Sequence, residues 1–291
     1  MAGGYRLLFD MHKWRAWAAV VREPTRILFN LGKESRKTST HRMIVAVDWD
    51  DTVTAKDSLS IVAQSAYVHK PEFVPKWDYF VDSYLKDYDR YVQDGGNARK
   101  SLQEERQFLS GLISVEEASV RRVEESGLFS GVPLDTVLSQ AKDVQVKPKW
   151  WDLYDKLVQR KVPVAIVSIN WSAELIREVF RLSGRDPTAV EVRANQLSVV
   201  DGICTGRLSE GRERLRTADD KERIIKEFAD RYGKVVYVGD SSTDTLALAE
   251  SEVGIVMRNK ALYEKLQRFG VSVQIIDDWH EFTTLQGIDV N

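Results

Sequence analysis

Short, mostly aliphatic runs recur along the chain: Ile44 to Val47, Val162 to Ser168, Val190 to Ala194, Lys234 to Gly239, Val253 to Met257 and Val273 to Ile276. Runs of this length without polar alternation predict strands buried on both faces, as in a parallel sheet. Segments of helical period lie between several of them, among them Ser172 to Leu182 and Asp220 to Tyr232. Strand and helix in alternation imply βαβ units, so the expected fold class is α/β, with a mostly parallel sheet.

From about Ser58 to Lys147 the alternation stops, and a charge-rich helical pattern replaces it. Asp57 or Ser58 is placed to cap a helix running to His69. Trp77, Phe80, Tyr84 and Tyr88 recur at spacings of three and four, which marks one helical face and reads as packing. Leu102 to Leu112 and Val115 to Val123 predict two more helices, with Ser114 and Glu117 spaced as a capping box for the second. Residues 58–147 are therefore expected to form a helical cap inserted after the first strand. The core is expected over residues 43–57 and 148–291.

Composition narrows the function classes. Apolar residues make up 43% and charged residues 30%, as in ordinary globular proteins. A formal net charge of −2 gives no basic excess, so nucleic acid is not expected as a partner. No stretch approaches the roughly 18 uninterrupted apolar residues of a membrane span. Cys204 is the sole cysteine, which fits a reducing compartment such as the cytoplasm and removes cysteine-based zinc sites. His12, His41, His69 and His280 lack metal-ligand spacing, so a metal would have to use oxygen ligands. Residues 1–42 stand apart, with nine Lys or Arg against three acids, which leaves the remainder at −8. This basic N-terminal extension is compatible with mitochondrial targeting or with a surface-lying segment.

The candidate chemistry lies where the aliphatic runs end. Met43 to Thr54 reads MIVAVDWDDTVT, and it delivers Asp48, Asp50, Asp51 and Thr52 at the carboxyl end of the first strand, where open α/β sheets bind ligands. Three acids within four residues repel one another unless a cation, a proton or solvent relieves them. The second strand delivers Ser168 and then Asn170, a hydroxyl and nearby amides suited to a phosphate oxygen. The string VVYVGDSSTD delivers Asp240 and Asp244, with Gly239 permitting a tight turn. Lys221 opens the preceding helix, a position that opposes the helix dipole unless an anion lies nearby.

On these residues the chain resembles the haloacid-dehalogenase-like hydrolase superfamily, specifically its phosphoserine-phosphatase-like branch. DWDDT resembles the first signature of that family, Ser168 the second, Lys221 the third, and Asp240 with Asp244 the fourth. The stretch ANQLSVVDGICTGRL, residues 194–208, is similar to the hairpin after the second signature. Two positions depart from the pattern: Asp51 stands where glycine is frequent, and Asn170 where these phosphatases commonly have glycine.

The resemblance implies a Rossmann-like three-layer core with an inserted α-helical cap, and Mg²⁺-dependent phosphatase activity on a small phosphorylated metabolite through an aspartyl-phosphate. It implies Asp48 as nucleophile and Asp50 as acid and base. Thr52, Ser168, Asn170 and Lys221 are implied at the phosphate, and Asp48, Asp50 (through its main-chain carbonyl), Asp240 and Asp244 around the metal. Asp57 is a candidate for selecting the leaving group, or simply a helix cap. A catalytically silent member serving as a binding or regulatory protein is the alternative. A phosphorelay receiver is disfavoured because Asp240 follows Lys221, and a metal-free dehalogenase because Asp50 is retained.

Overall fold

Strand β1 (Met43–Val47) lies inside a six-stranded parallel sheet, and the placement follows from its side chains, since Ile44 to Val47 are fully buried. The computed structural model describes residues 43–95, 99–209, 214–285 and 288. Expectations about residues 1–42 lie outside them. After β1 come α1 (Leu59–His69), α2 (Trp77–Gly95), α3 (Leu102–Gly111), α4 (Ile113–Ser126), α5 (Leu134–Leu138) and α6 (Trp150–Gln159). The chain then alternates through β2 (Val164–Val167), α7 (Ala173–Leu182), β3 (Val190–Arg193), a hairpin of β4 (Leu197–Val200) and β5 (Ile203–Leu208), and α8 (Ala218–Tyr232). It ends with β6 (Lys234–Gly239), α9 (Thr245–Glu250), β7 (Val253–Met257), α10 (Lys260–Arg268) and β8 (Val273–Ile276).

The sheet order is β3-β2-β1-β6-β7-β8, with Val45 opposite Val164 on one side of β1 and Val236 on the other. Strand alternation separates two cores. Val45, Val47, Ile166 and Val238 face α1, α5, α6 and α7 through Val62, Val137, Leu153 and Ile176. Ile44, Ala46, Ala165 and Tyr237 face α8, α9 and α10 through Phe228, Leu248 and Leu262. The result is a three-layer, Rossmann-like α/β fold. Each such aliphatic side chain contributes about 1.5–3 kcal/mol by leaving water, which makes the strand register costly to shift.

The chain leaves the sheet after β1 and returns before α6 through one narrow crossing. Thr54 bridges Val146, Ala55 N–H donates to Gln145, and Lys147 N–H donates to Val53. Between the two crossings, α3 and α4 bring Phe108, Leu109, Leu112 and Val115 against Ala218 and Leu246 of the core. Charged pairs surround that patch: Arg106 with Glu222, Glu105 with Lys265 at 2.7 Å, and Glu117 with Arg216 at 2.7 Å.

One expected cap fails, and of the two candidates at α1 it is Asp57 that bonds the helix start. The Ser114–Glu117 box does not form, because α4 follows α3 almost without a break and Ser114 is already helical, its hydroxyl donating back to Gly111. Ser101 caps α3 instead, accepting from Glu104 N–H. At α1 the Asp57 carboxylate takes the Leu59 N–H, while the Ser58 hydroxyl turns away to Asp50.

Candidate active site

The loop after β1 is wound tightly: Val53 and Thr54 N–H both donate to the Trp49 carbonyl. Asp51 occupies the left-handed region with φ 55°, which glycine enters freely and Asp tolerates better than most residues. Asp48 N–H donates to Val238 and Ser168 N–H to Arg193, so the pairing of β1 with β6 and of β2 with β3 continues past the strand ends. The carboxylates of Asp48, Asp240 and Asp244 converge, and Ser168 is buried at the end of β2, its hydroxyl accepting the Asn170 N–H.

At the centre lies the fully buried ammonium of Lys221, 2.8 Å from Asp48 Oδ1 and 2.7 Å from Asp244 Oδ1. The anion that a lysine in a first helical turn requires is thus supplied by two carboxylates. Although burial opposes its charge, Asp244 and Asp48 raise the Lys221 pKa above the ordinary value. Thr52 donates to Asp240 Oδ1 at 2.8 Å. Oxygens of Asp48, Asp240 and Asp244 lie within 4.8 Å of one another.

The three carboxylates differ in what they have left to offer. Asp244 Oδ1 accepts from Lys221 and from the Tyr237 hydroxyl, and Oδ2 accepts from Asp240 N–H, Ser241 N–H and the Ser241 hydroxyl. Its lone pairs are taken, so its office is to hold Lys221 and the loop. Among the described residues Asp48 and Asp240 keep lone pairs free, and oxygen donors of this kind suit a hard divalent cation.

Tyr237 was not foreseen, although a phenol inside an otherwise aliphatic strand is a readable signal of a buried polar contact. Gly239 serves close approach rather than a turn, because a Cβ there would stand 2.4 Å from Asp244 Cγ. Lys147, also unforeseen, returns from the insertion with its ammonium on the Asp51 carbonyl.

Asp50 lies apart from that cluster. Its Oδ1 accepts from Ser58 N–H at 2.7 Å and the Ser58 hydroxyl at 2.5 Å, and its Oδ2 from Asn170 Nδ2 at 3.1 Å. The side chain of Asn170, expected on phosphate, is thereby aimed at Asp50 and Ser58, and its N–H at the Ser168 hydroxyl.

Burial raises the carboxyl pKa values of Asp48 and Asp50 to about 7 and of Asp240 to about 8. After burial, Asp244 contributes most to the rise at Asp48 and Asp240, and Asp57 to the rise at Asp50. These groups hold protons in the folded state over a range where the unfolded chain has released them, so folding stability must fall as pH climbs through that range. Melting temperatures in EDTA are expected to decline from about pH 4 to about pH 8, and added divalent metal to reverse the loss at the upper end. A flat or rising profile in EDTA would contradict this charge arrangement.

Comparison with known proteins adds to the geometry. Residues 45–249 match the family model described as haloacid dehalogenase-like hydrolase. A CTO1 family protein of Schizosaccharomyces pombe is 29% identical over 251 residues, 81% of this chain and 89% of that one. The bifunctional TH2 protein, mitochondrial, of Arabidopsis thaliana is 25% identical over 260 residues, 79% of this chain but 42% of that protein. In fold, a phosphoserine phosphatase solved as a phospho-aspartyl intermediate analogue matches 84% of this chain and 99% of its own, with TM-score 0.51 and 18% identity. With its family model matched from β1 through α9, the chain belongs to the haloacid dehalogenase-like hydrolases.

Proposed function

We propose that this protein is a Mg²⁺-dependent phosphatase that hydrolyses a small phosphorylated metabolite through an aspartyl-phosphate on Asp48. The observation that carries this reading is the buried Lys221 bridging Asp48 and Asp244 beside Asp240, with Asp50 held separately by its own donors. A carboxylate attacking an anionic phosphate requires its surroundings to cancel charge, and most phosphoryl-transfer catalysis comes from such cancellation and from in-line positioning.

Asp48 forms the new bond to phosphorus as the ester P–O bond breaks, and Asp50 gives a proton to the departing oxygen. Water then attacks phosphorus, Asp50 takes the proton, and Asp48 is regenerated with release of phosphate. Lys221 keeps Asp48 aimed and, with the Ser168 hydroxyl, binds non-bridging oxygens; Thr52 keeps Asp240 oriented. Mg²⁺, held by Asp48, Asp240 and the main-chain carbonyl of Asp50, would supply Lewis-acid neutralisation of the phosphate charge. Asp57, which raises the Asp50 pKa and has its own raised by burial and by Asp51, suits a leaving group that carries positive charge. Helices α3 and α4, packed on Ala218 and Leu246, support a site closed to bulky substrates.

The purified full chain is expected to hydrolyse p-nitrophenyl phosphate and at least one member of a panel of phosphorylated sugars, amino acids and nucleotides. EDTA should abolish the activity and Mg²⁺ restore it. Turnover that persists in EDTA would overturn the metal assignment, and absence of hydrolysis across the panel would overturn the phosphatase.

A further inference from the structure

The donors around Asp50 leave no freedom in where its proton resides. Trp49 Nε1 is a donor only, and it points at the Ser58 hydroxyl from 3.1 Å. Asn170 Nδ2 points at the same hydroxyl, also from 3.1 Å. The orientation of that amide is fixed, because Asn170 Oδ1 accepts from Ser172 N–H at 3.1 Å; turning it over would face two donors to each other and two acceptors to each other. With both acceptor positions of the Ser58 hydroxyl filled, its single proton must go to Asp50 Oδ1. Oδ1 already accepts the Ser58 N–H, so its two lone pairs are spent. Among the described residues Oδ2 accepts one bond, from Asn170, and keeps one lone pair. Trp49, Ser58 and Asn170 are all buried, so water does not compete for these bonds.

We propose that Ser58 and Asn170 are positioning residues: Ser58 fills Asp50 Oδ1, Asn170 orients the Ser58 hydroxyl and takes one lone pair of Oδ2, and proton exchange is confined to the other lone pair of Oδ2. This rests on the reading of Asp50 as acid and base. Oδ2 delivers its proton to the departing oxygen as the ester bond breaks and regains one from the attacking water, while the Ser58 proton stays on Oδ1 and is not transferred. Ser58 is also the residue at which α1 begins, so the clamp ties the acid to the root of the helical insertion. Asn170, on the loop after β2, closes it from the other side.

A purely structural role and a positioning role separate when the leaving group is varied. Phenyl phosphate and p-nitrophenyl phosphate differ little in shape, but phenoxide is the poorer leaving group and depends more on protonation. kcat/KM, which reports steps up to release of the alcohol, is measured for both probes with Mg²⁺. Asp50→Asn should lower kcat/KM for phenyl phosphate on the order of 10²-fold more than for p-nitrophenyl phosphate. Ser58→Ala should shift the same ratio in the same direction by about tenfold, and Ser58→Thr should restore it. If Ser58→Ala does not fold, Asn170→Ala is expected to show the same bias.

A bias in Asp50→Asn with equal losses on both probes in Ser58→Ala or Asn170→Ala overturns the clamp and leaves Asp50 as the acid. Equal losses in Asp50→Asn itself remove Asp50 as the acid, and the clamp with it.

Discussion

Replacing Asp48 by Asn is expected to lower kcat on the order of 10⁴- to 10⁶-fold, the range seen when an enzyme loses its covalent nucleophile. The amide keeps the shape and an acceptor for Lys221, 2.8 Å away in the native site, but it lacks the charge needed to attack phosphorus. Folding should not suffer. Burial and Asp244 disfavour the Asp48 charge and raise its pKa to about 7, so at pH 8 the carboxylate is ionised against that resistance and an uncharged group there relieves repulsion. The melting temperature in EDTA at pH 8 is therefore expected to equal or exceed that of the native protein. Steady-state kinetics and a thermal melt on the same preparation, with mass spectrometry to exclude deamidation back to Asp, check both halves. Near-native turnover would remove Asp48 from the chemistry.

Lys221→Met should fail in a different way, losing stability as well as activity. The ammonium is fully buried between Asp48 and Asp244. Removing it leaves carboxylates in low dielectric without a partner, and breaking a buried pair in this way costs about 3–5 kcal/mol. The loss should be greatest at alkaline pH in EDTA and smaller at acid pH, where the carboxyl groups take up protons instead. Turnover should fall too, since the proposed mechanism uses Lys221 to aim Asp48 and to bind the phosphate. Chemical denaturation at two pH values measures the first effect. Equal stability of Lys221→Met and native protein at pH 8 would show that this ammonium does not neutralise the cluster.

The fold was legible because its strands carry unbroken aliphatic runs that nothing else explains. β1, β2, β6, β7 and β8 each end within a few residues of where periodicity puts them. Strand ends also announced Asp48, Ser168 and Asp240, since a side chain at a strand terminus has few places to go. Side-chain hydrogen bonds were less legible, because they depend on rotamers and on partners far away in sequence. Asn170 looked like a phosphate donor from its neighbour Ser168, yet its amide reaches residues 120 and 112 positions away, Asp50 and Ser58. Ser58 looked like a helix cap from local spacing, but an acid with unfilled lone pairs competed better for its hydroxyl. Asp244 read as one more acid near a metal until the donors surrounding it were in view. Tyr237 carried a signal in its own strand, whereas nothing local distinguishes Lys147 from the other lysines near it.

The paired crossing at Thr54 and Val146 bears on how such a scaffold diversifies. Because the excursion from β1 departs and re-enters at one spot, the parts of it that leave Ser58 and the core contacts of Val62 and Val137 in place can lengthen, shorten or be exchanged without moving the strand ends that carry Asp48, Ser168 and Asp240. Selection can then rewrite the excursion while the strand ends that carry Asp48, Ser168 and Asp240 are inherited unchanged.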